Sequence, residues 1–355
     1  MKELFGLQAW WWKVLAVICL IYVFVGGLLT PLAPGILSVE PEKVSCGENV
    51  IFEVLAYNTT FSKATSVQKV WLRYKNEKIC GRMVSVENDH KIKFIASIPD
   101  TLGETSMESK TMDLVLFDEL HGTVSLRNAV GVTAGADSLR IVERSCGGNI
   151  PVQEAKGANF PYREILHESV RNLFFHVPMW FGMLGLLFVS FIYSLRYLYS
   201  GNLSFDQRAN VLVEVGILFG CLGIITGMIW ANYTWGSPWP KDPKLNGAAI
   251  GMLIYFAYMI LRGSVTDEIR RAKVAGVYSI FAFLIYITFI FIMPRLEDSL
   301  HPGNGGNPAF SSYDLDNSLR KYFYPAVLGW TLMGFWLASI KIRYTFALRK
   351  LQGLD

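Results

Sequence analysis

Trp230-Ala-Asn-Tyr-Thr-Trp235-Gly-Ser-Pro-Trp239-Pro-Lys-Asp242-Pro-Lys244-Leu-Asn-Gly247 joins two apolar runs, about 210–231 and about 246–262. Each run is long enough to cross the roughly 30 Å hydrocarbon core of a bilayer as a helix. The stretch between them, 230–247, reads as a short loop with three tryptophans. Trp and Tyr gather at membrane interfaces because one end is apolar and the other can hydrogen-bond. The aromatics can therefore be simple anchors. They can also form a platform at the membrane surface for a flat, apolar ligand. The surrounding chain has to choose.

Working outward, four more runs have the same character. They lie at Val14 to about Leu32, 174–199, 274–294 and 323–345, which makes six candidate spans. Composition agrees: of 355 residues 52% are hydrophobic and 17% charged, with a mean hydropathy of +0.32, the profile of a polytopic membrane protein. The net charge of +4 is small and no basic cluster stands out, which excludes nucleic acid as a partner. The first run competes with a cleaved signal peptide. The head Trp10-Trp11-Trp12 is unlike an n-region and Leu32-Ala33-Pro34 is a poor cleavage site, so it is read as a span.

Between the first two spans the chain changes character. Val50–Tyr57, Lys69–Tyr74, Lys91–Ala96, Met112–Phe117 and Ser138–Val142 alternate apolar with polar residues and are bounded by Gly, Asn, Asp and Pro. Period-two alternation predicts half-buried strands, and five or more in this length predict a small β-sandwich. His90 and His121 are read as surface residues. Cys46, Cys80 and Cys146 fall here, each followed by Gly. One disulfide among the three is expected in an oxidising compartment, with the pairing open.

Arg196 and Arg208 follow the second span, and Arg262, Arg270, Arg271 and Lys273 follow the fourth. Lys341, Arg343, Arg349 and Lys350 lie at the C-terminal end. The positive-inside rule puts these segments in the cytoplasm. The expectation is an all-α polytopic membrane protein of six transmembrane helices with an inserted all-β, sandwich-like extracytoplasmic domain. Its parts are 1–36, an N-terminal segment with the first helix; 37–168, the β domain; and 169–355, the other five helices with the Trp-rich loop 230–247. Both termini are then cytoplasmic.

This topology brings three features to the outer face: His176 at the start of the second span, the Trp loop, and His301 just after the fifth. Neutral imidazole is a normal haem ligand, so the two histidines can supply both axial positions to a haem iron. The Trp rings would then stack on the porphyrin. Lys241, Lys244, Arg171 or Arg320 could pair with its propionates. His167, about nine residues before His176, is a reserve ligand or an interfacial residue. Cys221 is read as a packed apolar residue.

His-Val-Pro at 176–178, Trp-Gly-x-x-Trp-x-x-Asp at 235–242 and Leu-His at 300–301 together resemble the haem-handling family of cytochrome c biogenesis, CcmC and CcsA, most closely its CcmC-type branch. The resemblance covers the first span weakly and His167 to the C-terminus well. It implies a haem b carrier in a bacterial inner membrane that holds haem for delivery to a periplasmic, CcmE-like haem chaperone, beside other membrane subunits of cytochrome c maturation. It carries the family's haem ligands onto His176 and His301, and its loop onto Trp235, Gly236, Trp239 and Asp242; Trp230 and Lys244 are read as further haem contacts. Lys241 stands where the family has another Trp, and the β domain is extra to it. Asp242-Pro243-Lys244 looks more like CcsA, which attaches haem to apocytochrome.

A haem lyase is thus the second function class, and the carrier reading favours no bond-making chemistry. A transporter or receptor with a sensing β domain is the third. A transporter needs ionisable residues in mid-span, and Glu214 is the single obvious candidate. From the charge distribution, a topology reporter fused after Lys273 should read cytoplasmic and one fused within residues 60–140 extracytoplasmic. Finding 60–140 in the cytoplasm would invert the arrangement.

Overall fold

The computed structural model describes residues 10–63, 68–75, 77–99, 110–133, 149–301 and 314–353. The chain divides into a β unit, Thr30–His167, and a helical unit, Met1–Leu29 with Glu168–Asp355.

Among the described residues the β unit holds eight strands: β1 Gly35–Glu40, β2 Lys43–Ser45, β3 Asn49–Tyr57, β4 Lys69–Tyr74, β5 Glu77–Asn88, β6 Lys91–Ser97, β7 Lys110–Asp118 and β8 Gly122–Thr133. They form one sheet in the order β1-β3-β6-β5-β4-β7-β8-β2. The alternation read from the sequence sets which side chains turn inward: Phe52 and Val54 on β3, Ile92 and Phe94 on β6, Leu114 and Leu116 on β7 are all fully buried. Phe52 and Phe94 stack at 5.0 Å across β3 and β6. The sheet rolls because β5 serves two neighbours. Its first part pairs with β4 and the part from Arg82 onward with β6. Gly81 sits at the change of partner, where a methyl group would lie 2.5 Å from the Phe94 ring. With β1 lying alongside β8, the sandwich-like domain is a nearly closed barrel around one core.

Four strands match runs picked out in the sequence. β5 does not, because most of it faces outward on both sides and shows little alternation of hydrophobicity. β1, β2 and β8 are further strands that the alternation does not reveal, β8 because Arg127-Asn128 interrupts its apolar pattern. Ser138–Val142 lies outside the described residues. His121, expected at the surface, is buried. Its Nδ1 hydrogen-bonds Asp118 Oδ2 at 2.7 Å and its Nε2 accepts from the Thr60 N–H at 2.9 Å. Cys80 is disulfide-bonded and Cys46 is a free thiol. Cys146 lies outside the described residues.

The helical unit contains α1 Trp11–Leu29, α2 His176–Ser200, α3 Leu203–Trp235, α4 Pro243–Ser264, α5 Glu268–Ile287, the short α6 Met293–Leu296, and α7 Asn317–Leu351. A 3₁₀ segment, His167–Phe174, leads into α2, and a π-helical segment, Thr288–Ile292, joins α5 to α6. Counting α5 to α6 as one continuous element, six helices among the described residues are long and apolar enough to cross a membrane. Asn202, Asp242, Asp267 and Asp316 cap four of them with their side chains. Helices are longer than the apolar runs alone suggest, because charged and polar residues continue them past the apolar stretch.

Helices in lipid gain little from hydrophobicity when they meet, so close packing has to hold them together. On α3, Gly216, Gly220, Gly223 and Gly227 form a stripe at helical spacing. The facing residues of the antiparallel α2 are Leu187, Met183, Trp180 and His176, at the same spacing. A methyl group added at Gly220 would lie 2.8 Å from Met183 Sδ, and one at Gly223 2.8 Å from the Trp180 ring. Each glycine is a notch that receives an α2 side chain, and at Gly220 Met252 of α4 comes closer still. α1 and α7 use the same device, with Gly329 against Cys19 and Leu20. Cys221 packs against the bundle core.

Several basic residues that read as loop charges are ion-paired on helix ends. Arg262 and Asp206, both nearly fully buried, form a bidentate pair with Nη1–Oδ1 2.7 Å and Nη2–Oδ2 2.5 Å. Arg349 reaches Glu268 at 2.5 Å and Lys341 reaches Glu214 at 2.6 Å. Glu214 is therefore part of a pair. Removing one partner of a buried ion pair leaves an uncompensated charge, at a cost of about 3–5 kcal/mol. Arg262→Ala should accordingly lower the melting temperature in detergent sharply. The double variant Asp206→Leu with Arg262→Met should recover most of the loss, and no recovery would mean that the pair itself is needed.

Candidate functional site

His176 opens α2. Its Nδ1 lies 3.0 Å from the Gly223 carbonyl and 3.3 Å from Thr226 Oγ1. A carbonyl only accepts, so Nδ1 carries the proton and Nε2 keeps its lone pair. The Thr226 hydroxyl itself bonds back to the Leu222 carbonyl at 2.8 Å, which fixes the wall on which the imidazole rests. Gly227 makes room: a methyl group there would lie 2.7 Å from His176 Cε1. Trp180 and Trp230 flank the ring edge-on, with centroids at 6.3 and 5.8 Å. Trp230 is oriented in turn by its indole N–H, which donates to Ser169 Oγ at 3.1 Å.

His301 is held by a different kind of group. Asp-Pro at 242–243 is a strong helix start: the carboxylate caps, and proline at the first turn needs no N–H partner. Asp242 Oδ1 accepts from the Lys244 and Leu245 N–H groups at 2.9 and 3.2 Å, and lies 3.1 Å from His301 Nδ1. Its Oδ2 accepts from Ser299 Oγ and the Leu300 N–H, both at 2.7 Å. The residue is 1% exposed. Burial alone would raise its pKa, but hydrogen bonds from His301, Ser299 and the Leu300 N–H outweigh burial and hold the carboxyl well below the usual range. The stabilisation is complete above that usual range and is lost as pH falls through the depressed value. The carboxylate is acceptor-only, so His301 Nδ1 also carries its proton and Nε2 is again free. The Trp235 ring sits edge-on to His301 at 5.0 Å.

The approach of the His301 segment depends on the chain before it. Pro294, near the start of α6, cannot donate a helical hydrogen bond, and the turn ahead of it is π-helical. π-turns are rare and frequent at functional sites. α4 meets this turn at Gly247, where a methyl group would lie 2.5 Å from the Phe289 carbonyl oxygen.

The structure shortens the loop read from the sequence. α3 runs on through Trp235, so Trp230 and Trp235 stand on its last turns and the true connection is Gly236–Asp242. The apolar run ends before the helix does, because Asn232, Tyr233 and Thr234 look like loop residues. Gly236 ends the helix with φ 72°, the left-handed conformation that favours glycine. Trp239 is exposed and its indole N–H donates to Asn246 Oδ1 at 3.2 Å.

His176 lies within electrostatic reach of His301 and Lys244. His176, Trp180 and Trp230 make one cluster, and Trp235, Asp242 and His301 another, both at the same end of the bundle. Lys244 is half-buried beside them and Lys241 is exposed. Arg171 is engaged with the Gly27 carbonyl at 2.8 Å and with Glu168, and Arg320 reaches Asn317 Oδ1 at 3.5 Å. His167 belongs to the β unit and packs edge-on against Tyr162 at 5.3 Å. Sequence reasoning does not find Gly223, Thr226, Gly227 or Ser299. The glycine spacing on α3 is the available signal. Ser299 has none.

Among the described residues no group of three or more His, Cys, Asp and Glu side chains could hold a bare metal ion. A haem iron asks for less, because the porphyrin supplies four ligands and the protein one or two. Two imidazoles whose Nε2 atoms have no partner among the described residues, with aromatic neighbours and a lysine, fit that group.

Residues 162–301 match the family model described as "Cytochrome C assembly protein". The chain is 25% identical over 211 residues to heme exporter protein C of Paracoccus denitrificans (strain Pd 1222), covering 59% of this chain and 81% of that protein. It is 36% identical over 103 residues to cytochrome c biogenesis protein CcsA of Pelargonium hortorum, covering 28% of this chain and 32% of that protein. The match thus spans about a third of that relative's length. A superoxide reductase (neelaredoxin) from Ignicoccus hospitalis aligns at a TM-score of 0.19 and 14% identity, covering 28% of this chain and 80% of that one, too slight a likeness to bear on fold or function. Over residues 162–301, which carry α2 to α6, the chain thus matches the cytochrome c assembly protein family.

Proposed function

We propose that this protein acts in cytochrome c maturation by holding haem between His176 and His301 at the outer surface of a bacterial inner membrane, and passes it to a CcmE-like haem chaperone. The observation that carries the reading is the matched state of the two imidazoles. Each donates through Nδ1 to a fixed acceptor. Among the described residues neither Nε2 has a hydrogen-bond partner. Bound there, haem b would supply an iron for His176 and His301 to hold. The residues of the chain do the rest. His176 and His301 ligate, and Trp230 and Trp235 wall the site with aromatic edges. Lys244 pairs with a propionate, and Asp242 keeps His301 in the ligating tautomer. Trp239, being exposed, covers the outer rim.

The extracytoplasmic placement of this end rests on the distribution of arginine and lysine, most of which sit at the opposite ends of the helices. The 36% identity to CcsA over its matched segment favours, as a second reading, a lyase that joins haem to apocytochrome. Purified protein that by itself forms the covalent cytochrome would establish that reading over delivery.

The visible spectrum of detergent-purified protein is the direct test. Two axial imidazoles give a low-spin, six-coordinate iron. His176→Gly and His301→Gly should each lower haem occupancy or open one axial position, and free imidazole should restore the low-spin spectrum. If both variants keep the full wild-type spectrum, the axial assignment is wrong. Trp235→Ala should weaken haem retention without changing spin state, since stacking contributes about 0.5–1.5 kcal/mol beyond buried area.

Gly227→Ala tests the wall behind His176. The added methyl group has to push the imidazole off the Gly223 carbonyl. It should therefore reproduce the His176→Gly spectrum in a protein that still carries the histidine. An unchanged spectrum in Gly227→Ala would show that the notch does not position the ligand.

A further inference from the structure

The two histidines donate their Nδ1 protons over nearly the same distance, 3.0 Å for His176 and 3.1 Å for His301. The acceptors differ in charge. His176 faces a neutral backbone carbonyl with a threonine hydroxyl beside it. His301 faces a carboxylate that is 1% exposed. An imidazole whose far N–H donates to a carboxylate becomes a stronger donor through its other nitrogen, and charge-assisted hydrogen bonds are roughly twice as strong as neutral ones.

The anchoring differs in the same direction. Asp242 also holds the chain that carries His301, through Ser299 Oγ and the Leu300 N–H, and the His301 N–H lies 3.1 Å from Ser299 Oγ. The ligand, its orienting carboxylate and the first turn of α4 are thus one hydrogen-bonded unit. His176 has no comparable support. Its ring leans on a helix backbone where a glycine leaves the neighbouring position open, and Phe175 before it makes no side-chain cap.

Resting on the two-histidine reading above, we infer that the ligands are unequal: Asp242 makes His301 the retained ligand, and His176 is the one that lets go when haem is handed on. Haem leaving the site would then pass through a state held by His301 and Trp235 alone. An incoming donor group would take the axial position that His176 gives up. In this account Asp242 is a positioning residue. Both of its carboxylate oxygens are engaged inside the protein, and it acts on the haem through His301.

Carbon monoxide is a suitable probe, because on reduced haem it displaces the weaker axial ligand and its vibrational frequencies report the donor strength of the one that stays. The experiment uses the full-length, haem-loaded protein in detergent. The wild-type adduct should match that of His176→Gly and differ from that of His301→Gly. Asp242→Asn should shift the wild-type frequencies toward those of a weaker trans donor and lower haem affinity by roughly 10–100-fold. Ser299→Ala removes a competing donor from the carboxylate and should shift the frequencies the opposite way. A merely structural role for Asp242 would lower the melting temperature and leave these frequencies in place.

A wild-type adduct that matches His301→Gly would overturn the inference while leaving the two-histidine site intact. Frequencies unmoved by Asp242→Asn would do the same, and they decide the matter if a histidine variant does not fold. A protein that takes up no haem, or whose spectrum ignores both histidine variants, removes the site and the inference with it.

Discussion

The packing of α2 side chains into the glycine stripe of α3 is the interaction on which the rest of the helical unit depends. Within lipid, burying apolar surface gives little advantage over leaving it against acyl chains, and helix association rests on close approach and dispersion. Gly216, Gly220, Gly223 and Gly227 supply that approach over successive turns. The stripe ends at His176, so the contact that joins the two helices also places that imidazole. Only at that end is the fitted side chain polar, and the Gly223 carbonyl that glycine packing exposes becomes its hydrogen-bond partner. Structure and site are continuous here.

The opposite solution operates at His301. That residue is in a connecting segment, and no helix backbone stands behind it. A buried carboxylate does instead. Asp242 caps α4, gathers Ser299 and Leu300, and orients His301. A buried charge is tolerated only when its lone pairs are satisfied, and five hydrogen bonds meet that condition. The same requirement explains why the loop between α3 and α4 is short. Gly236 closes one helix in a left-handed turn, Asp242 opens the next, and the residues between only have to bridge them. A buried ion pair, Asp206 with Arg262, ties α3 to α4 near their far ends. Packing thus holds α3 along α2, and the ion pair fixes α3 to α4 at the far end.

Much of this is legible in the sequence. Six apolar runs state six spans, because crossing a bilayer imposes a length and a composition that few other structures share. Alternation states half of the strands in the intervening unit. Where a strand faces outward on both sides, as β5 does, no alternation exists to be read. The placing of His176 and His301 at one end of the bundle follows from span parity, whereas Gly236 as a helix stop and Asp242-Pro243 as a helix start stand out only once α3 is seen to run through Trp235. The glycine spacing on α3 is also present in the sequence, and only the facing helix gives it meaning.

Tertiary structure decided what each of these residues does. Sequence alone ranks Asp242 with the ligand-contacting residues, since a carboxylate in a conspicuous motif invites a direct role. Folding brings Ser299, Leu300 and His301 onto it from some sixty positions away, and both of its oxygens are then occupied. His121 reads as a surface residue and is buried, because Asp118 and Thr60 satisfy both of its nitrogens. Arg262 reads as a free loop charge and is paired, because Asp206 reaches it from another helix. For Asp242 and Arg262 the partner lies far away in the chain, and for His121 one of its two partners does. Local pattern determines which element a residue joins, since backbone geometry and solvent act residue by residue. Hydrogen-bond and charge partners are settled only when helices and strands far apart in the chain are packed together, and in this protein those partners set the state of both histidines.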